Sequence, residues 1–91
     1  MSDERSIPVK IADEVLRGAY ANQMVVRHTR EEFVLDFLGV FPPEAVVNAR
    51  VIVSPGHMKR ILRALEDNVL KYETAHGRIT DAEPPTAGPA N

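Results

Sequence analysis

Three histidines, the hydroxyl side chains of Ser54 and Thr29, and one group of cations are the candidates for chemistry in this chain. To hold a metal ion, His28, His57 and His76 would have to converge. His57 and His76 stand 19 residues apart; on one helix that is more than about five turns, so they cannot share a site within a protomer. His76 suits a helix end, where the negative pole of the macrodipole favours a cation. Ser54 and Thr29 are candidate nucleophiles, but each has a simpler task, as helix cap and as turn residue. No Gly-x-Ser-x-Gly elbow, phosphate loop or dinucleotide fingerprint accompanies them. The expectation is a non-catalytic protein with no cofactor and no metal.

The cations Lys59, Arg60 and Arg63, with His57 beside them and Lys71 further on, could meet the phosphates of a nucleic acid. Glu66, Asp67 and Glu73 offset them, and Arg63 with Asp67 has the i,i+4 spacing of a helical ion pair. The whole chain carries 11 Lys+Arg against 13 Asp+Glu, a net charge of −2, which gives no general attraction to nucleic acid or to an anionic membrane. A nucleic-acid-associated regulator is therefore the alternative reading. The leading one is a small binding or adaptor protein, chaperone-like in holding another chain.

The elements that position these residues follow from hydropathy periods. Tyr20 to His28 reads as a strand with Met24, Val26 and His28 on one face, and Phe33 to Leu38 as a second strand with Phe33, Leu35 and Phe37 together. A four-residue turn, Thr29 to Glu32, sets His28 opposite Phe33, Val26 opposite Leu35 and Met24 opposite Phe37. Gly39 to Glu44, with Pro42-Pro43, reads as a loop, and Val46 to Val53 as a third strand with Val47, Ala49, Val51 and Val53 on one side. Ser54-Pro55 opens a helix, by cap and first-turn proline, that runs to His76 and ends at Gly77. Along it Met58, Leu62, Leu65, Val69 and Tyr72 recur at steps of 4, 3, 4 and 3, a heptad-like seam flanked by Ile61. Pro8-Val9-Lys10-Ile11 has the composition of a short edge strand, which would be a fourth, and Asp13 to Arg17 that of one helical turn stopped by Gly18.

These elements predict an α+β domain over 7–79, a three-stranded antiparallel meander covered on one face by the helix, between a disordered N-terminus, 1–6, and a disordered Pro-rich tail, 80–91. The charged start with no apolar run after it predicts a cytoplasmic chain. With the helix on one face, the other displays Val25, Arg27, Val34, Asp36, Leu38, Arg50 and Ile52. Asp36 can pair there with Arg27 or Arg50, and the surrounding aliphatics are too many for a freely solvated surface. With 91 residues and no cysteine, the chain lacks the staples of small folds, so that face is expected to serve self-association, giving a homodimer or higher oligomer, or to hold a protein or peptide partner.

The blocks Tyr20-Ala21-Asn22, Glu32-Phe33-Val34-Leu35-Asp36-Phe37 and Ala49-Arg50-Val51-Ile52-Val53-Ser54-Pro55, followed by His57, Lys59-Arg60, Ala64-Leu65, Asn68 and Tyr72-Glu73, resemble a family of short bacterial proteins of unknown function. The resemblance spans roughly Val9 to Ile79. It implies a small bacterial cytoplasmic protein and brings no activity, substrate or cofactor with it. A consecutive antiparallel sheet followed by a long helix also looks, in architecture alone, like the export chaperone SecB.

Overall fold

The structure, a computed structural model, describes residues 6–85. Of the ends expected to be disordered, 1–6 and 80–91, residues 1–5 and 86–91 lie outside the described residues. Within them the order is a short helix α1, Asp13–Leu16, then β1, Gln23–His28, β2, Phe33–Phe41, β3, Glu44–Val53, and the long helix α2, Pro55–His76. The strands form one antiparallel sheet in the order β1-β2-β3. Residues 6–12 add no fourth strand, and Val9 is 93% exposed there: Pro8 removes a ladder N–H from a run too short to spare one.

The β1–β2 register is the one the alternation demands: His28 faces Phe33, Val26 faces Leu35 and Met24 faces Phe37. The Thr29 N–H donates to the Glu32 carbonyl at 2.9 Å and closes the turn, while the His28 ring stacks on Phe33 with centroids 5.2 Å apart. The second hairpin departs from expectation. β2 continues through Gly39, Val40 and Phe41, pairing Phe41 with Glu44, and the expected loop shrinks to Pro42-Pro43, joined by a cis peptide bond. Prolines that would break a central strand are tolerated at a hairpin's tip, where no ladder N–H is needed.

A bulge also interrupts this pair. Phe37 faces Ala49 but Leu38 faces Val47, so Asn48 is an extra residue on β3. Because the side-chain period is two, the insertion reverses the expected sidedness of Val47. Val47 lies on the face of Leu38, Asp36 and Arg50, and Asn48 joins Phe37 and Ala49 in lining the other. Gly39 makes room for the bulge: a Cβ there would sit 2.9 Å from the Asn48 amide nitrogen.

α2 has the expected ends. The Ser54 Oγ accepts from the His57 N–H at 3.1 Å, Pro55 occupies the first position, and Gly77 takes φ +98°, a backbone open to glycine. Its place is not the expected one. α2 does not lie along the sheet; it meets it only at its foot, where Pro55, Met58 and Leu62 come beside Phe33, and none of its residues is buried. Two features oppose a helix-over-sheet layer. The apolar seam is narrower than the stripe a sheet-covering helix presents, and the far end of the same sheet face is flanked by Val15, Ala19 and Ala21. The result is elongated, 58 Å along its longest axis with a radius of gyration of 16.8 Å, against about 12 Å for a compact chain of this length. Leu35, at the middle of the sheet, is the one large apolar side chain buried among the described residues, 6% exposed.

The cap gives a contained test. Ser54→Ala removes the acceptor of one orphan N–H and is expected to lower the free energy of urea unfolding by about 1 kcal/mol. Ser54→Asp, which keeps an acceptor, is expected to restore it.

Candidate functional site

The face of β2 that carries Asp36 holds the only concentrated charge on the sheet. Asp36 is central because β2 is the middle strand, and its ladder partners are Val25 on β1 and Arg50 on β3. Arg50 lies directly across and grips the carboxylate as a fork, Nε donating to Oδ1 at 2.7 Å and Nη2 to Oδ2 at 2.8 Å. Arg27, reaching diagonally from β1, donates from Nη2 to Oδ2 at 3.1 Å. Sequence reasoning placed Asp36 with either arginine; the structure gives it both.

Asp36 is 3% exposed, whereas the two arginine side chains are more than half exposed. The Arg50 hydrogen bonds, and then the charges of Arg50 and Arg27, hold the Asp36 carboxyl below its ordinary value; burial opposes them. Reciprocally, the bond to Asp36 and its charge raise Arg50. Such a carboxylate is a poor proton acceptor, because both oxygens are already engaged by cations. The group is a clamp joining all three strands, with one net positive charge left over. Around it Val25, Val34, Leu38, Val47 and Ile52 complete an apolar frame, and Ile52 is 56% exposed.

The clamp residues line neither of two grooves of the described residues. These two grooves lie on the opposite face: one of about 450 Å³ between Val15, Ala19 and Ala21 on one side and Phe37, Ala49 and Val51 on the other, and an apolar notch of about 310 Å³ at the foot of α2. Among the described residues no three His, Asp or Glu side chains gather as a metal site, and no helix is long and apolar enough to cross a membrane.

The cations of α2 are arranged differently from expectation. Asp67 pairs with Lys71 at 3.0 Å, not with Arg63. An acid placed before the base at i,i+4 is the better orientation. Lys59, Arg60 and Arg63 thus share one half of an exposed helix, and among the described residues no carboxylate is bound to them.

Two amides were missed as site-building residues. Asn22 extends β1 by one rung: its Nδ2 donates to the Val40 carbonyl at 3.1 Å and its Oδ1 accepts from the Val40 N–H at 2.8 Å. Asn48, on the bulge, donates to the Tyr20 carbonyl at 2.7 Å, and Tyr20 stacks on Phe41 with centroids 6.2 Å apart. The available signal was an amide among strand-forming residues, a side chain able to replace a missing ladder partner.

No curated protein and no solved structure matches the chain, and the likeness to SecB is not confirmed. Residues 1–81 match a family described as protein of unknown function, DUF3467. With that match over nearly the whole chain, and with the sheet and helix its blocks build, this protein belongs to the DUF3467 family.

Proposed function

We propose that this protein is a non-catalytic, homo-oligomeric binding protein of the bacterial cytoplasm, an adaptor that holds a segment of another protein against the Asp36 face of its sheet. The observation that carries this reading is how little the isolated chain closes on itself. Among the described residues Leu35 is the one large apolar side chain that is buried, while Ile52, Leu62, Leu65 and Leu70 are all more than half exposed. A single three-stranded sheet and one amphipathic helix, each with apolar side chains open to water, form a marginal monomer and a ready half of something larger. The clamp fits the role: by tying Arg27, Asp36 and Arg50 together it fixes the strands around an apolar frame that a partner chain can cover. The cations Lys59, Arg60 and Arg63 support nucleic-acid binding less well, because the net charge is −2 and the helix N-terminal half is the unfavourable end for cations.

Light scattering at micromolar concentration is expected to give a mass above that of one chain. The parent protein is also expected to suppress the aggregation of a chemically denatured test protein at near-equal molar ratio. Val34→Lys with Ile52→Lys should fold and lose most of that suppression. A monomer mass, or equal suppression by the double variant, would overturn the proposal.

A further inference from the structure

We infer that α2 is the self-association element and pairs antiparallel with α2 of a second copy; this rests on the homo-oligomeric reading above. The first observation is the seam. Met58, Leu62, Leu65, Val69 and Tyr72 take two positions in every seven, the width of a coiled-coil seam, yet Leu65 is 60% and Val69 47% exposed. Their own sheet does not reach them.

Charge decides the occupant and its direction. Lys59, Arg60 and Arg63 lie in the first half of α2, and Glu66, Asp67 and Glu73 in the second. Parallel pairing would set like beside like along the helix. Antiparallel pairing sets each basic half on an acidic half. With Leu62 facing Leu65 of the second copy, Met58 faces Val69 and Pro55 faces Tyr72. Lys59 and Glu66 each follow a seam residue, Met58 and Leu65, and so flank the seam on the same side. In this register Lys59 comes opposite Glu66 of the second copy, and two-fold symmetry repeats the pair.

The notch at the foot of α2 supplies an independent fit. It is lined by Phe33, Pro55, Met58, Lys59 and Leu62 and is almost wholly apolar. The same register delivers Val69 and Tyr72 of the second copy to it, so each helix would end against the other protomer's sheet.

The absence of cysteine makes cross-linking clean. Met58→Cys and Val69→Cys, made as separate full-length proteins of distinguishable size and mixed under mild oxidation, are expected to give the mixed disulfide dimer, with neither linking to itself. Cross-linking of each variant to itself would mean parallel helices and overturn the inference. Mass above a monomer with no cross-link in any mixture would overturn it too, while leaving the homo-oligomer standing. A monomer mass would overturn both. In the cysteine-free protein Lys59→Glu is expected to weaken dimerisation roughly tenfold at low salt. Adding Glu66→Lys is expected to restore it, and failure to restore would count against the register.

Discussion

Leu35→Ala is expected to cost about 2–3 kcal/mol of unfolding free energy, the lower part of the range for a buried leucine. That corresponds to a fall in melting temperature of roughly 10–20 °C for a domain of this size. Leu35 sits on the central strand between Val26 and Val51, its ladder neighbours on either side, and nothing else apolar among the described residues is as deeply covered. The lower part of the range applies because the surrounding side chains are half exposed and free to move into the space. Val51→Ala, at a site 45% exposed, removes less buried area and is expected to cost about 1 kcal/mol. Urea denaturation followed by circular dichroism, at one fixed protein concentration because association contributes to stability, gives both values. Equal costs at the two positions would mean that Leu35 is not the centre of the fold.

The same residue shows how far the sequence could be read. Alternation alone put Leu35 between Phe33 and Phe37 and opposite Val26, because a slip of one residue would have turned every apolar side chain of the hairpin outward. The ends of α2 were equally legible: Ser54-Pro55 and Gly77 each do something at a helix terminus that few other residues do. Three features were not legible, each for a physical reason. Pro42-Pro43 signals a turn but not its length, so β2 was expected to stop three residues early. The bulge at Asn48 is invisible to periodicity, since a pattern of Val-Val-Asn-Ala-Arg-Val fits either phase on one side of the extra residue. And an amphipathic seam says that a helix needs a cover without saying whose. The clamp was legible in outline, because an acid on the central strand with a base on each neighbour has few other partners; that both arginines bind it at once depended on the register of the second hairpin.

This division bears on what holds the sheet in place. With one large apolar side chain buried among the described residues, cohesion between strands rests on backbone ladders and on the few side-chain links that cross them. Asn22 to Val40 reinforces β1 on β2, and Asn48 to Tyr20 ties β3 to the segment before β1. Asp36 does more than either, since it alone engages both outer strands.

Substitution of Asp36 is accordingly expected to lower the urea midpoint more than any other polar change on the sheet. Asp36→Ala leaves two guanidinium groups side by side with no anion between them. Asp36→Asn keeps the shape but offers one acceptor oxygen, and turns an amide N–H toward groups that are themselves only donors. Both should be more damaging than Arg50→Ala, which leaves the carboxylate one cation. Arg27→Ala, losing a single bond of 3.1 Å, should be mildest. The pH dependence has a definite sign. Because the arginines hold the Asp36 carboxyl below its ordinary value, the unfolded chain takes up a proton first as the pH falls. Asp36 therefore stabilises the fold fully above the unfolded carboxylate pKa of about 3.9. It loses that contribution as the pH drops through the lower folded value. The gap in urea midpoint between the parent and Asp36→Asn should be constant from pH 6 to 8 and shrink below about pH 4. A gap that persisted undiminished into strong acid would mean that Asp36 contributes through its shape and packing and not through its charge.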